Sequence, residues 1–223
     1  MVTLTVAQRV EEVQRRIATA CLRAGRSPQE VTIVAVTKGF PPHAIREAWE
    51  AGIRHFGENR VQEAAIKIPQ LSDLPAIWHM VGHLQTNKVK RALALFHTID
   101  SVDSVHLAQE ISKRAQGTVP ILLEVNVAGE ASKFGFAPQE VMREAERVAA
   151  LPHLDVRGLM TVAPLAPHPE EVRPIFRRLR ELAQALGLRE LSMGMSDDYE
   201  VAIEEGATMV RLGRAIFGPR PGP

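Results

Sequence analysis

The chain is poor in cysteine and in aromatic residues, and both shortages limit what it can be. It has one cysteine, Cys21, among 223 residues, so it can form neither an intramolecular disulfide nor a cysteine-rich zinc site. A reducing compartment, the cytoplasm, suits such a chain best. Aromatic residues make up 4% of the sequence, and Tyr199 is its one tyrosine. We expect that tyrosine to lie at the surface.

Long apolar runs and an excess of one charge are also missing. No run of about 18 apolar residues occurs, and the first residues do not form a basic leader followed by an apolar stretch. We therefore expect a protein that is neither exported nor bound to a membrane. The 27 basic and 26 acidic residues nearly balance, so we expect no nucleic-acid partner.

What the chain does have is an apolar strand that ends in a lysine. Residues from Val31 to Thr37 are almost all apolar or β-branched, as in a strand covered on both faces of a parallel sheet. Because side chains alternate along a strand, Val34, Val36 and Lys38 share one face. We therefore expect Lys38 to be sheltered among core residues. Such a lysine either pairs with an acid or reaches the rim, or else it supplies a free amine that forms a Schiff base.

Strand-like and helix-like segments alternate along the rest of the chain. A helix with a capping box at Thr5 and Gln8 comes first, and eight strand candidates with seven intervening helices come after it. The strand candidates cover residues 31–38, 55–59, 76–82, 97–102, 119–127, 154–162, 191–196 and 208–217. We predict an α/β fold, a single (β/α)8 TIM-type barrel with an additional N-terminal helix, over residues 1–223, with a frayed tail at 218–223. The alternative is a doubly wound sheet, whose usual Gly-x-Gly-x-x-Gly turn is missing.

Functional side chains of such a barrel gather where its strands end. The candidates at these ends are Lys38, Asn59, Ser196, Arg211, Gly213 and Arg214. They are scattered along the chain, yet the fold would bring them to one mouth.

Ser196 has two interpretations. It could be the N-cap of the helix that comes after it. Alternatively, free backbone N–H groups at that helix start could hold a phosphate, with Gly194 allowing close approach. The two aspartates after Ser196 disfavour an anion unless their side chains turn outward. Gly213 would let the last loop reach the same anion, and Arg214 could add a positive charge.

Arg211 shares a strand face with Met209 and Gly213, which puts a guanidinium in or beside an apolar core. Its partner could be Glu124 on the fifth strand candidate, in a structural ion pair. It could instead bind a ring nitrogen or an anionic ligand. A lysine, a phosphate site and an inward arginine at one mouth together suggest pyridoxal 5'-phosphate (PLP), which has an aldehyde, a phosphate and a ring nitrogen.

Several motifs in one order resemble the YggS/PROSC family of pyridoxal phosphate homeostasis proteins. They are Ala35–Lys38, Phe56–Glu63, Trp78–Lys88, Arg157–Met160, Leu191–Asp198 and Val210–Gly218. The resemblance covers nearly the whole chain. It implies a barrel like the N-terminal domain of alanine racemase, with PLP as the cofactor.

The resemblance also assigns roles to residues. It implies that Lys38 carries PLP as an internal aldimine, that Ser196, Gly213 and residue 214 hold the phosphate, that Arg211 faces the pyridine nitrogen, and that Asn59 lies by the ring. Two positions depart from the family pattern. Arg214 stands where a small hydroxyl residue is frequent, so only its backbone or its charge can contact phosphate, and Thr37 stands where serine is frequent.

An arginine at the ring nitrogen would disfavour protonation of that nitrogen, so PLP would be a weak electron sink and transamination is not expected. Racemisation needs a second acid or base, which the racemase relatives draw from another domain, and we expect no such domain in this chain. We therefore expect a monomer or weak homodimer that holds PLP and passes it to PLP-dependent apo-enzymes without turnover of its own. The alternatives are a PLP-dependent amino-acid racemase and a class I aldolase.

Overall fold

The computed structural model describes residues 4–219 and shows a closed barrel of eight parallel strands. The strands are β1 (Thr32–Val36), β2 (His55–Glu58), β3 (Ile77–Met80), β4 (Thr98–Val102), β5 (Val119–Glu124), β6 (Leu154–Met160), β7 (Glu190–Ser192) and β8 (Met209–Leu212). β8 pairs with β1, with Arg211 beside Val34, and this closes the ring. The predicted (β/α)8 barrel is confirmed, and the doubly wound sheet is excluded.

Helices surround this barrel. They are α1 (Val6–Arg23), α2 (Pro42–Glu50), α3 (Val61–Lys67), α4 (Val89–Leu93), α5 (Val105–Arg114), α6 (Val141–Ala149), α7 (Arg173–Ala185), α8 (Tyr199–Glu204) and α9 (Arg214–Phe217), with short 3-10 turns at Pro28–Glu30, Ile68–Leu71, Thr86–Lys88 and Pro169–Val172. Among residues 4–219, none of the helices is long and apolar enough to cross a membrane.

The additional N-terminal helix is present and begins at the predicted capping box. The backbone N–H of Gln8 donates to Thr5 Oγ1 at 3.2 Å, and the Thr5 N–H donates to the Gln8 side chain at 2.9 Å. One stripe of α1, which includes Val13, Ile17 and Cys21, is buried where the helix packs on α2, α8 and α9. α1 therefore covers the barrel where its first and last strands meet.

Several strands end earlier than the sequence indicated. The seventh ends at Ser192 instead of Ser196, and the eighth ends at Leu212. The reason at the eighth is local, because the Gly213 carbonyl accepts hydrogen bonds from the N–H groups of Ile216 and Phe217 and so begins the turn of α9. Residues beyond the strand ends are thereby released into the loops of the carboxyl-terminal mouth.

The expected frayed tail falls only partly within the described residues. Gly218 is buried, and its N–H donates to the Arg214 carbonyl at 2.9 Å. Pro219 is exposed, and residues 220–223 lie outside the described range. The chain is thus held at least as far as the end of α9.

The core has an outer and an inner part. Ala35 belongs to the large cluster between strands and helices, whereas Val34 belongs to an inner cluster with Leu122, Met160 and Met209. The predicted alternation of β1 is therefore confirmed. Burying each large apolar side chain contributes about 1.5–3 kcal/mol. The inner cluster fills the middle of the barrel, so polar groups inside it lie toward one mouth or the other.

Candidate functional site

The carboxyl-terminal mouth contains a cavity beside the first three strands. It has a volume of about 520 Å³, and its lining includes Lys38, Asn59, Glu63, Gly82 and His83. Each of these residues lies beyond the end of a strand or on the first helix after β2. The mouth therefore brings together the ends of β1, β2 and β3, as the barrel requires.

Lys38 is exposed, so the prediction that it is sheltered among core residues was wrong. β1 ends at Val36, and the chain turns at Lys38 and Gly39, where φ of Gly39 is +77°. A positive φ of this size favours glycine. Because the lysine lies two residues beyond the strand, its side chain stands at the rim of the cavity instead of inside the barrel.

The residue before Lys38 is held tightly. Thr37 is buried, its backbone N–H donates to the Gly57 carbonyl at 2.9 Å, and its hydroxyl donates to Glu58 Oε1 at 2.5 Å. The Lys67 ammonium donates to the Thr37 carbonyl at 2.7 Å and to the same Glu58 oxygen at 2.8 Å. The backbone N–H, the hydroxyl and the carbonyl of Thr37 therefore all make hydrogen bonds.

The residue after Lys38 is held by the same ammonium through a second carboxylate. The Gly39 N–H donates to Glu63 Oε1 at 2.7 Å, and Lys67 donates to that oxygen as well. We call Thr37, Gly39, Glu58, Glu63 and Lys67 the lysine clamp. Glu63 and Lys67 are four residues apart on α3, a spacing that usually indicates an ordinary surface pair, so this role could not be recognised from the sequence.

Charge in the lysine clamp is partly compensated. Burial raises the pKa of Glu58, although the hydrogen bonds from Lys67 and Thr37 oppose the shift. Burial alone would also raise the pKa of Glu63, but the hydrogen bonds from Lys67 and Gly39 outweigh it and hold that pKa below its usual range. Lys67 is thus the shared cation of two carboxylates that differ in their tendency to ionise.

Ser196, Gly213 and Arg214 lie next to one another beyond β7 and β8. The Ser196 hydroxyl accepts a hydrogen bond from the backbone N–H of Ala215 at 3.2 Å, in the first turn of α9. Gly213 occupies the N-cap position of that helix. The exposed Arg214 pairs with the exposed Asp197, so the latter side chain is turned outward. Ser196 therefore bonds to α9 and does not cap α8, which begins at Tyr199.

The turn before α8 is closed by Asp198. This residue is buried, and its Oδ1 accepts from the backbone N–H of Met195 at 2.6 Å. Burial raises the pKa of Asp198, and this hydrogen bond opposes the shift. Gly194 has φ of +96°, and an added Cβ would lie 2.7 Å from the Cβ of Ala202. The close approach expected at Gly194 is therefore made by α8 itself.

Arg211 lies inside the barrel, as its strand face predicted, and it does not form the ion pair with Glu124 that was one of its two interpretations. Its guanidinium donates to the Ser192 hydroxyl at 2.8 Å and to the Thr161 carbonyl at 2.7 Å. Burial lowers the pKa of Arg211, and the more distant carboxylates of Glu124 and others oppose the shift. Neutral acceptors at close range hold the cation, and Glu124 acts on it only through space.

Asn59 lines the cavity with an unused acceptor. Its side-chain oxygen is buried and has no hydrogen-bond partner in the described part of the chain. An added Cβ on Gly82 would lie 2.2 Å from the Asn59 carbonyl oxygen, so only glycine allows the two loops to approach this closely. The buried amide oxygen can accept a hydrogen bond from a molecule in the cavity.

A titratable group lies on the β4–β5 side of the mouth. Burial raises the pKa of Glu124 to about 7, against the attraction of Arg211. The charges of Asp103 and His83 act on the same carboxyl, and the His83 ring bonds to Asp103 at 2.8 Å and stacks on Phe134 with ring centroids 3.7 Å apart. A carboxyl group that titrates near neutral pH can exchange a proton with a bound molecule. This role could not be found from the sequence, because the raised pKa comes from burial.

Tyr199 is buried, so the prediction that it lies at the surface was wrong. The Arg16 guanidinium of α1 lies over its ring, with Cζ 5.3 Å from the ring centroid. Burial raises the pKa of Tyr199 to about 12. The covering helix α1, which local patterns cannot place against α8, accounts for the error.

Known proteins resemble this chain over nearly its whole length. The model of the family described as alanine racemase, N-terminal domain, matches residues 10–221. The pyridoxal phosphate homeostasis protein of Aquifex aeolicus (strain VF5) is 45% identical over 226 residues, which cover 97% of this chain and 99% of the relative. The protein of that name in Pseudomonas aeruginosa is 46% identical over 221 residues, which cover 97% and 96%. The structure of PipY from Synechococcus elongatus PCC7942 with PLP bound is 40% identical, with a TM-score of 0.79 over 92% of this chain and 100% of that chain.

Replacing Lys67 by methionine is expected to destabilise the fold. The change keeps the apolar stem but leaves the Thr37 carbonyl and two carboxylates without their shared donor, and loss of one partner from a buried ion pair costs about 3–5 kcal/mol. Urea unfolding of the cofactor-free protein measures this loss. Lys113→Met removes an exposed lysine of α5 and should change the free energy of unfolding by less than about 0.5 kcal/mol. Equal effects of the two substitutions would contradict the lysine clamp.

The raised pKa of Glu124 predicts that stability falls as pH rises. The folded state keeps this proton up to about pH 7, whereas the ordinary value is 4.5, so the folded state binds more protons in between and the free energy of unfolding decreases there. Between about pH 5 and about pH 8, the free energy of unfolding of Glu124→Gln should fall by about 2 kcal/mol less than that of the parent protein. Urea unfolding at both pH values tests this, with Glu146→Gln on α6 as the exposed control. Parallel losses in parent and Glu124→Gln would refute it.

Proposed function

This chain belongs to the alanine racemase N-terminal domain family and, within it, to the pyridoxal phosphate homeostasis proteins, and from that premise we propose that it binds PLP at its carboxyl-terminal mouth. We further propose that Lys38 holds the cofactor as a Schiff base and that the protein passes PLP on to PLP-dependent apo-enzymes. Residues 1–223 act in this proposal as one PLP-binding domain.

The observation that carries the proposal is the way the backbone on both sides of Lys38 is held. A lysine at a cavity rim would otherwise move with its turn, whereas the lysine clamp fixes Thr37 and Gly39. Because the backbone on both sides of Lys38 is already fixed, it need not be ordered when an aldehyde binds, which reduces the entropic cost of the bond. The clamp thus suits a lysine that must meet one atom of a ligand.

The residues present also fit the remaining parts of PLP. The turn of Gly213 lies against the end of β1, since an added Cβ on Gly213 would be 3.4 Å from the Val36 carbonyl oxygen. Ser196 and the backbone of this turn would hold the phosphate, as helix N-termini hold anions. Asn59 offers its buried oxygen, and Arg211 would face the ring nitrogen. The phosphate site and Lys38 are thereby connected through β1.

When bound, PLP supplies an aldehyde for Schiff-base formation and a ring that withdraws electrons. The chain's own residues limit the chemistry that this ring can support. Arg211 brings a positive charge that opposes protonation of the ring nitrogen, so electron withdrawal is weak. Holding and releasing the cofactor need only Lys38 and the phosphate contacts, which supports a carrier over a catalyst.

Amino-acid racemisation is the second candidate, and Glu124 is the observation that favours it. Its pKa of about 7 suits a group that exchanges protons at neutral pH. Racemisation needs two such groups on opposite faces of one carbon, and Tyr199, buried under α1, is not available as the second. The carrier function therefore remains the better supported of the two.

Lys38→Ala is expected to abolish the aldimine absorption band of the PLP-loaded protein, because it removes the amine that we propose forms the Schiff base. Absorption spectroscopy during titration of the cofactor-free protein measures this. Lys90→Ala, on the exposed part of α4, is the matched control and should keep the band. A band that persists unchanged in Lys38→Ala would place the aldehyde on another residue. Transfer is tested separately, by reactivation of a PLP-dependent apo-enzyme with the loaded protein.

The carrier and the racemase differ in what they do to an amino acid. A carrier should leave the α-hydrogen in place, whereas a racemase exchanges it with deuterated solvent. Proton NMR of a broad panel of amino acids with the loaded protein distinguishes them, and we expect no exchange above that caused by free PLP. Exchange that disappears in Glu124→Gln would instead support racemisation.

A further inference from the structure

The amino-terminal mouth of the barrel, at the end opposite to Lys38, contains a second cavity, whose wall includes several titratable side chains. It has a volume of about 370 Å³, and each of the eight strands contributes at least one residue to its wall. Met209 of the inner cluster forms part of its lining, so apolar side chains separate it from the carboxyl-terminal mouth. This end of a (β/α)8 barrel usually serves stability alone, and the proposed function makes no use of it.

A chain of hydrogen bonds leads from this cavity into the barrel. His55 Nδ1 lies 2.9 Å from His79 Nε2, and His79 Nδ1 lies 2.8 Å from Asp100 Oδ2. The other Asp100 oxygen accepts from the Thr98 hydroxyl at 2.8 Å. Asp100 and His79 are buried, whereas His55 is half-buried and lines the cavity. We call Asp100, His79 and His55 the histidine relay.

The histidine relay determines which ring nitrogen of His55 can bind a ligand. Asp100 accepts from the Thr98 hydroxyl with one oxygen and faces His79 Nδ1 with the other, so a neutral His79 ring carries its proton on Nδ1 and offers Nε2 as an acceptor. His55 then donates from Nδ1, which leaves a lone pair on its Nε2. Burial is the largest cause that lowers the pKa of His55, to about 4, which agrees with a neutral ring at neutral pH. The relay thus ends in a hydrogen-bond acceptor.

A carboxylate of the same cavity is a further acceptor. Glu190 begins β7 and is half-buried, and within residues 4–219 its side chain makes no hydrogen bond or ion pair. Burial raises the pKa of Glu190, and the attraction of Arg157 opposes the shift. Arg157 itself is paired with Asp155 at 2.8 Å. The cavity therefore offers a second unused acceptor, one that carries negative charge when ionised.

The charges around the cavity favour a positive ligand. Glu190 lines the cavity, and Asp100 lies behind the relay. The third carboxylate, Glu30, is paired with Arg26, and the cation in the wall, Arg157, is paired with Asp155. The other ring in the wall, His97, already accepts the backbone N–H of Trp78 at 3.0 Å. A metal ion does not fit, since the described residues contain no group of three or more potential ligands. A cation that donates N–H groups complements acceptors of this kind.

We propose that the amino-terminal mouth is a binding site for a small primary ammonium ion, held by His55 Nε2 and the Glu190 carboxylate. The volume lies at the lower end of the range for ligand pockets, about 300–1,000 Å³, so the amine is a small one. The site is independent of PLP binding. Its failure would leave the function proposed for Lys38 unchanged, and the reverse is also true.

The test is a titration of the full-length protein with ethylammonium chloride. PLP is first bound and reduced with borohydride, so that no amine can react with an aldehyde at the carboxyl-terminal mouth. Nitrogen-15 NMR of the histidine rings is the readout. The His55 and His79 signals should shift to saturation, while His83, which reports on the carboxyl-terminal mouth, should not move. Tetramethylammonium, which has no N–H, and acetate should leave all three unchanged.

Two substitutions and two matched controls locate the site. His55→Gln and Glu190→Gln should each weaken ethylammonium binding at least tenfold, while His106→Gln and Glu146→Gln, on exposed helix faces, should not. If His55→Gln does not fold, Glu190→Gln at the cavity edge still decides the question through the His79 signal. The proposal is overturned by no saturable shift up to about 100 mM, where binding is worth only about 1.4 kcal/mol. Equal shifts with tetramethylammonium, or unchanged affinity in Glu190→Gln, would also overturn it.

Discussion

One ammonium group, that of Lys67, connects the segments on which the carboxyl-terminal mouth depends. It binds the carbonyl of Thr37, the carboxylate of Glu58 at the end of β2, and Glu63 on α3, which in turn binds Gly39. A buried cation with several acceptors is stable only while all of them stay in position. The hydrogen bonds that Lys67 makes to these acceptors therefore hold the turn that carries Lys38 in place, although Lys38 itself is exposed.

The inner apolar cluster divides the barrel's polar groups into two sets. On its carboxyl-terminal side lie Arg211 and Glu124, whose titration is governed by burial and by one another. On its amino-terminal side lies the histidine relay, which runs from the buried Asp100 to His55 in the cavity of the amino-terminal mouth. Charges inside a barrel must be hydrogen-bonded or paired, because the interior solvates them poorly. Arg211 on one side and the histidine relay on the other are held by hydrogen bonds. The chemistry that we assign to each mouth depends on the hydrogen-bond acceptors that remain unused there.

The sequence was sufficient for the barrel, because alternation of strands and helices fixes which strand ends meet at one mouth. It was not sufficient to predict which side chains are buried beyond the strand ends. Lys38 continues the alternation of β1 on paper but lies beyond its last ladder residue. Partners more than a turn away in sequence were also missed. Tyr199 is covered by α1, Arg211 takes neutral acceptors instead of Glu124, and Lys67 links three segments, none of which a local pattern can show.

Lys38, positioned by the lysine clamp, is in our proposal the residue that meets the aldehyde of PLP. Borohydride reduction of the PLP-loaded protein, followed by proteolysis and mass spectrometry, identifies the residue involved, because reduction makes the bond permanent at whichever amine formed it. We expect one equivalent of the pyridoxyl group on the peptide that contains Lys38. Modification of a different lysine, with the Lys38 peptide left unmodified, would show that Lys38 is not the residue that forms the Schiff base and would contradict the role given to the lysine clamp.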